Sequence, residues 1–210
     1  MRFACWIILA MCAAGVCWRF PLFHVVTMKT ATAEKAVATF NAKQFAESFW
    51  TSQLLPALAK SSPVEALIPL IQTAPAAARQ KYSRGFGGGD SYFYFVAGTG
   101  KIVAVSDDEI SIAVTAGGTN AEISLQTGLI FGNALRDGTG LLSPIYYPNS
   151  QDYNDISAAL NHIVETSVQP KLRESAKVGG KISFAGCAEV NDESADLKPL
   201  KVIPVQAMIE

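Results

Sequence analysis

Residues 92–140 read YFYFVAGTGKIVAVSDDEISIAVTAGGTNAEISLQTGLIFGNALRDGTG. Aromatic and β-branched residues recur there in short runs, and glycine or acidic residues typical of turns separate the runs. The pattern predicts four or five consecutive antiparallel strands. The remaining segments of the chain are expected to cover the sheet that these strands form.

Length and charge limit the class of protein. The chain has 210 residues, of which 50% are hydrophobic and 17% are charged, as is typical of a folded protein with one good core. We therefore expect a single domain over 30–210, after a leader over 1–29. Beyond residue 29 there are 14 basic and 18 acidic residues, a net charge of −4. This sign excludes nucleic acid as a main partner, because such binding needs a basic surface.

The leader is apolar, with an uncharged run over 3–18 between Arg2 and Arg19. The leader has three alternative interpretations: a cleaved signal peptide, an uncleaved N-terminal anchor and a lipoprotein signal. Neither Cys12 nor Cys17 follows the small residue that lipidation requires. An uncleaved or inefficiently cleaved anchor with Arg2 on the cytoplasmic side is therefore favoured. All three interpretations place the domain outside the cytoplasm.

The segment 30–84 has the periodicity of helices. Pro56 is expected to kink or restart the first of them, because proline lacks an N–H group. The second is expected to begin with Ser62 as N-cap and Glu65 as capping-box partner, and a third opens at Pro75. The apolar stripe of the first helix is interpreted as core rather than as a binding groove. Its residues are Phe45, Phe49, Trp50, Ser52, Leu54, Leu55 and Leu58.

Two glycine-rich stretches invite a phosphate-binding interpretation, and neither has the required pattern. The stretch 85–90 ends in Asp90 and lies between a predicted helix and a predicted strand, so it predicts a flexible connector. The stretch 98–101, GTGK, lacks both the earlier glycine and the following Ser or Thr of a P-loop. Its glycines are expected to join two strands through a bulge or a sharp bend.

The segment 132–140, GNALRDGTG, is the most unusual part of the chain. Neighbouring residues on a strand point to opposite faces, so Arg136 and Asp137 are expected to find separate partners. One interpretation is structural, with Arg136 capping carbonyl groups or anchoring a loop. The other is that Arg136 and Asn133 present donors to an anionic or hydroxylated ligand at the barrel mouth. The candidate ligand-binding residues are Asn133, Arg136, Asp137 and Asn149.

Residues 150–175 predict the clearest helix, which Asn149 or Ser150 can cap. Asp152 and Asp155 suit its positively polarised N-terminal end. Closing strands are predicted over 180–208. The apolar face of the helix consists of Tyr153, Ile156, Leu160, Ile163 and Val164.

Chemistry-bearing motifs are scarce. Cys187 is the domain's lone cysteine and is interpreted as a small buried residue on a strand. A Ser–His–acid or Cys–His device would depend wholly on His162, and His162 and Glu165 are interpreted as a solvent-facing pair, not as a metal site. Serine-hydrolase, zinc-protease and paired C-x-x-C motifs do not occur. We expect no cofactor, no metal and no enzyme activity, and we keep a two-carboxylate glycosidase as an alternative function.

Several pieces occur in an order that resembles a bacterial family of predicted periplasmic lipoproteins or membrane-anchored proteins of unknown function. The resemblance covers 40–205, and the Gly-x-Ala-x-Arg-Asp core is its most specific element. Members are commonly encoded beside sugar ABC transporters, so the resemblance implies a role in carbohydrate uptake. The pieces include FNAKQFAESFW (40–50), GTGKIVAV (98–105) and LQTGLIFGNALRDGTGLL (125–142).

The sequence thus predicts an α+β fold: N-terminal helices, a small antiparallel sheet closing into a partial barrel, and one long packing helix. The functional hypothesis is a non-catalytic accessory or binding protein of a carbohydrate import system, tethered to the inner membrane. Its expected partner is a sugar ABC transporter component or a small carbohydrate. The alternatives are a structural envelope protein that docks on a membrane partner, and a carbohydrate-active enzyme.

Overall fold

The structure, a computed structural model, describes residues 40–85, 91–147 and 149–210. The predicted leader, residues 30–39 of the predicted helical segment and residues 86–90 of the predicted connector lie outside these ranges. The strands in them are β1 (Ser62–Pro63), β2 (Ser83–Gly85), β3 (Tyr92–Val105), β4 (Glu109–Ala113), β5 (Ile123–Gln126), β6 (Lys181–Val190) and β7 (Leu200–Ile209). The α-helices of four or more residues in the same ranges are α1 (Ala42–Phe49), α2 (Val64–Thr73), α3 (Pro75–Tyr82), α4 (Ala134–Asp137), α5 (Ser150–Ile163), α6 (Gln169–Ser175) and α7 (Glu193–Asp196).

Five strands close into a barrel. β3 pairs with β4 and β4 with β5, both antiparallel, and β5 then pairs parallel with β7. β7 pairs antiparallel with β6, which returns to β3 over Tyr92–Lys101 and closes the ring. The predicted α+β barrel is therefore confirmed, but the sheet is mixed, because the chain reaches β7 only after the helical crossover.

The alternation of side chains along β3 divides the core into two clusters. Tyr92, Tyr94 and Val96 point into the barrel with residues of the other four strands, while α2 and α3 cover that interior. Phe93 and Phe95 point outward into a second cluster. Helix α1 and the helical segment 150–175, which we call the long helix, cover this second cluster. The cluster also holds Phe49, Trp50, Leu54, Ile156, Leu160 and Cys187.

Fewer strands form over 92–140 than the sequence predicts. Three strands occupy this stretch, and no strand follows Gln126 until Lys181 in the part of the chain that the structure describes. Gly98 and Gly100 do not join two strands, because β3 runs through both without interruption. A Cβ atom at Gly98 would overlap Val64 Cγ2, so this glycine allows α2 to approach the strand closely.

The start of the second helix also differs from the prediction. Ser62 and Pro63 pair parallel with Val96 and Ala97 of β3, and Ser62 makes no cap. Glu65 is not a capping-box partner either, because its carboxylate accepts a hydrogen bond from the backbone N–H of Thr99 at 3.2 Å. Strand pairing with β3 thus replaces the local capping interaction.

Prolines are accommodated in both long helical segments by π-helical turns. The turn Trp50–Leu54 lies just before Pro56, and the turn Val164–Val168 lies just before Pro170. A proline nitrogen cannot donate to the preceding turn, and a wider turn absorbs that missing bond. The predicted helix over 150–175 is therefore present as α5, a π turn and α6.

Candidate functional site

Arg136 and Asp137 lie on the short helix α4, where the sequence predicted a strand. Arg136 Nε donates to Asp137 Oδ1, and a terminal guanidinium nitrogen donates to Asp137 Oδ2, each at 2.8 Å. Their side chains are only 7% and 6% exposed. The expectation that they find separate partners is therefore wrong. Helical backbone and burial bring the two charges together, because a buried charge must be paired.

The remaining contacts of Arg136 reach the long helix. It donates to the carbonyl oxygen of Tyr153 at 3.1 Å and to Asn154 Oδ1 at 3.2 Å. The guanidinium carbon lies 3.7 Å from the centroid of the Tyr153 ring, a cation–π arrangement. Together with the two hydrogen bonds to Asp137, these contacts use four of its five N–H groups. Arg136 therefore anchors α4 to α5.

Tyr153 completes this buried cluster, which we call the Arg–Asp–Tyr cluster (Arg136, Asp137 and Tyr153). Its hydroxyl donates to Asp137 Oδ1 at 2.8 Å. Burial, together with the bonded Asp137 carboxylate, raises the pKa of Tyr153 above its usual range. The phenol therefore keeps its proton, and the three side chains satisfy one another.

A groove of about 470 Å³ lies beside this cluster, between the loop Ile130–Asn133 and the long helix. We call it the polar groove. Asn154 belongs to both sites, because it accepts from Arg136 and lines the groove. The lining residues are Ile130, Phe131, Gly132, Asn133, Asn154, Ser157, Ala158, Asn161, His162 and Glu165.

Two carboxylates hold the loop through its backbone. The N–H of Ile130 donates to Glu165 Oε1 at 2.9 Å, and the N–H of Asn133 donates to Glu189 Oε2 at 3.1 Å. Glu165 lies in the long helix and Glu189 on β6, so the loop is held from both sides. The predicted solvent-facing pair is thus only partly correct, since His162 is exposed but Glu165 binds the loop.

The long helix also binds the loop through small polar side chains. Asn161 Nδ2 donates to the carbonyl oxygen of Gly132 at 3.2 Å, and Ser157 Oγ donates to Asn133 Oδ1 at 2.9 Å. Gly132 has φ = 88°, and a Cβ atom there would lie 2.7 Å from Glu189 Oε2. Glycine is favoured at this position because it adopts the left-handed backbone without strain and does not crowd the Glu189 carboxylate.

One buried acceptor beside the polar groove has no partner, and an aromatic ring lies exposed at the rim of the groove. Asn161 is 7% exposed, and its Oδ1 atom has no hydrogen-bond partner. Phe131 is 80% exposed at the rim. No lysine or arginine occurs among the lining residues that the structure describes. The groove thus offers amide groups, a serine hydroxyl, the imidazole of His162, one carboxylate and an aromatic ring, but no lysine or arginine.

The four predicted ligand residues are not brought together. Asn133 lines the polar groove, whereas Arg136 and Asp137 lie buried beside it. Asn149 caps α5 through its Oδ1 atom, which accepts from the N–H of Gln151 at 2.9 Å. The structure therefore supports a ligand role only for the position of Asn133.

Sequence reasoning missed Phe131, Asn154 and Asn161. The signal that could have identified the two asparagines is their spacing: seven residues apart, with Ser157 between, they share one helix face. The tertiary position of the loop then decides which residues face them.

Cys187 is buried on β6, as the sequence predicted. Burial raises the pKa of its thiol to about 12. The thiolate that a nucleophile needs is therefore disfavoured. Among residues 40–85, 91–147 and 149–210, no group of three His, Cys, Asp or Glu side chains is placed to hold a metal ion.

The strand order defines the class of fold. Five strands form a closed barrel, and a helix stands between the third and fourth of them. This is the arrangement of an OB-fold. A solved OB-fold protein from Thermotoga maritima is similar to this chain, with a TM-score of 0.74 and 22% sequence identity over 82% of this chain and 100% of that chain.

The chain belongs to the family described as "Predicted periplasmic lipoprotein (DUF2291)", whose model matches residues 7–207. The protein is therefore extracytoplasmic and tethered to the membrane, as the leader predicted. Within the described ranges, no helix has the length and apolar character needed to cross a bilayer. A search of curated proteins found no match.

Proposed function

We propose that this protein is a non-catalytic binding or accessory protein of a carbohydrate import system, and that the polar groove receives its ligand. The observation that supports this proposal is the lining of the groove, where amide side chains lie beside an exposed aromatic ring. Ligand sites combine apolar surface with a few fixed polar groups in this way.

The chemistry of the groove suits a neutral hydroxylated ligand. Sugar hydroxyl groups both donate and accept hydrogen bonds, as do the side chains of Asn133, Asn154 and Asn161. The Oδ1 atom of Asn161 has no hydrogen-bond partner, but it is buried, so the more exposed amide groups of the lining are the ones that a ligand would meet first. An anionic ligand is disfavoured, because the guanidinium of Arg136 already forms an ion pair with Asp137.

The net charge supports an uncharged ligand. The net charge of −4 beyond residue 29 opposes the approach of a polyanion. The groove does not lie on the strand face where OB-folds bind oligonucleotides and oligosaccharides, so the proposed ligand class rests on the lining of the groove and on this charge.

Thermal unfolding of the full-length protein with a panel of mono- and oligosaccharides tests the ligand. A ligand at a hundred times its Kd stabilises the folded state by about 2.7 kcal/mol, so a matching sugar raises the Tm measurably. Phe131→Ala should abolish this rise. Val178→Ala removes another well-exposed apolar side chain, outside the groove, and should leave the rise intact. No stabilisation by any sugar would contradict the proposal.

Affinity purification from solubilised membranes tests the accessory role. The tagged full-length protein is expected to co-purify with permease subunits of a sugar importer, and more strongly when the matching sugar is present. Capture of a partner that is indifferent to sugar would instead favour a structural docking protein. Turnover of a sugar by the wild-type protein would favour the enzyme alternative.

A further inference from the structure

The segment Leu141–Tyr147 exposes large apolar side chains, and we call it the apolar loop. Pro144–Tyr146 forms a 3₁₀ turn at its tip. Ile145 is 80% exposed and Tyr146 is 77% exposed, whereas Leu142 is buried in the second core cluster and fixes the base of the loop. The tip thus presents two large side chains to the outside on a base that is packed into the core.

The surroundings of the apolar loop in the sequence carry no charge. From Gly138 to Gln151 there is no Asp, Glu, Lys or Arg. Surface loops are usually polar or charged, and an exposed apolar patch marks an interaction site. A tyrosine beside an aliphatic residue is typical of side chains at a membrane–water interface.

The apolar loop lies close to the point where the chain enters the domain from its N-terminal segment. This position indicates which surface the loop contacts. Tyr147, at the end of the loop, packs edge-on against Phe45 of α1 at 6.0 Å between ring centroids. The domain that contains the barrel, residues 41–210, begins four residues before Phe45. The chain therefore enters this unit close to the base of the apolar loop.

The distance to the bilayer is limited by the chain itself. The apolar character of the N-terminal segment ends at Val26, and 14 residues separate it from Asn41. Even fully extended, these residues reach roughly 50 Å. The tether keeps the loop at a high local concentration near the membrane, so a weak contact suffices for docking.

We propose that the apolar loop docks on the outer leaflet of the cytoplasmic membrane as a second contact beside the N-terminal tether. The side chain of Ile145 enters the acyl boundary, and the Tyr146 ring lies at the level of the headgroups. The docked loop fixes the orientation of the barrel above the membrane. This proposal rests on the membrane-tethered location and is independent of the ligand in the polar groove.

Photocrosslinking of the full-length protein tests the proposal. The protein is reconstituted in vesicles of phosphatidylethanolamine and phosphatidylglycerol, with benzoylphenylalanine in place of Ile145 or Tyr146. Matched controls carry it in place of Val178 or Met208, which are 67% and 63% exposed elsewhere in the fold. The yield of lipid adducts, measured by mass spectrometry, is expected to be several-fold higher at 145 and 146 than at the controls. Equal yields at all four positions would overturn the proposal.

A second variant distinguishes docking from mere proximity. Ile145→Ser is combined with benzoylphenylalanine in place of Tyr146, and an unchanged Tm shows that the fold is intact. The lipid adduct at 146 should then fall several-fold. An unchanged yield would overturn the proposal. The same crosslinkers in intact cells, if they captured a protein and no lipid, would assign the loop to a protein partner instead and would also overturn it.

Discussion

The Arg–Asp–Tyr cluster and the polar groove are neighbours that share Asn154, yet they differ in how fully their polar groups are hydrogen-bonded. In the cluster, Arg136 and Asp137 make a bidentate pair, and Tyr153 donates to the same carboxylate. In the groove, Asn161 keeps an acceptor without a partner and Phe131 remains exposed. The difference shows that the conspicuous charged pair is satisfied within the fold, whereas the groove is lined by amide side chains and an exposed aromatic ring.

The largest effect is expected from Asp137→Asn. It leaves the buried guanidinium of Arg136 without a countercharge, and breaking a buried pair in this way costs about 3–5 kcal/mol. Urea denaturation of the full-length protein should show the loss. Asp107→Asn, in an exposed turn, should change the free energy of unfolding by no more than about 0.5 kcal/mol. Similar losses in both variants would mean that the cluster does not support the fold.

The double variant Arg136→Met with Asp137→Asn tests whether the two side chains stabilise the fold as a pair. Each single variant leaves one buried group unpaired, whereas the double variant removes the charge that needed a partner. The double variant is therefore expected to lose less stability than the sum of the two single losses. Strict additivity would indicate that the two side chains act independently.

Tyr153→Phe removes one hydrogen bond to a charged acceptor but keeps the ring over Arg136, so we expect a loss of roughly 1–3 kcal/mol. It also changes the pH dependence. The pKa of Tyr153 is raised in the folded state, so its contribution is complete below the ordinary tyrosine pKa of about 10 and is lost as the pH rises above that value. Above pH 10 the stability of the variant should therefore decline less steeply than that of wild type. Parallel declines would contradict this assignment.

Gly132→Ala tests the loop that forms the polar groove. Its left-handed backbone should cost about 1–2 kcal/mol for any other residue, and the new Cβ also meets Glu189 Oε2. Gly179→Ala is the matched control, because Gly179 has φ = 92° but nothing within 4 Å of a Cβ atom. Chemical denaturation should show the greater loss for Gly132→Ala. Equal losses would show that the Glu189 carboxylate moves away from the added Cβ atom without a cost in stability.

The smallest effect on stability is expected from Phe131→Ala. The side chain is mostly exposed, so the free energy of unfolding should change by no more than about 0.5 kcal/mol. A loss of several kcal/mol would place Phe131 in the core instead of at the rim of a binding groove.

Several elements could be predicted from the sequence because local periodicity determines them. Pro75 begins a helix that ends at Tyr82, and the long helix occupies 150–175 with Asn149 as its cap. The apolar stripe of the first helix is core, with Phe49, Trp50 and Leu54 buried, although Leu55 is more exposed. Each of these features depends on residues within a few turns of one another.

Other elements could not be predicted because distant partners decide them. Ser62 is a good N-cap by residue type, but pairing with Val96 makes it part of a strand. In the same way, Arg136 and Asp137 look like separate groups until the long helix covers them.

The sequence alone determined the α+β class, the extracytoplasmic location and the burial of Cys187. These follow from composition, hydrophobic periodicity and the apolar run after Arg2. Only the tertiary structure decided the parallel pairing of β5 with β7, the pairing of Arg136 with Asp137, and the meeting of the loop Ile130–Asn133 with one face of the long helix. Such contacts join residues far apart in the chain, and the energy of burying their polar groups exists only once the fold has enclosed them.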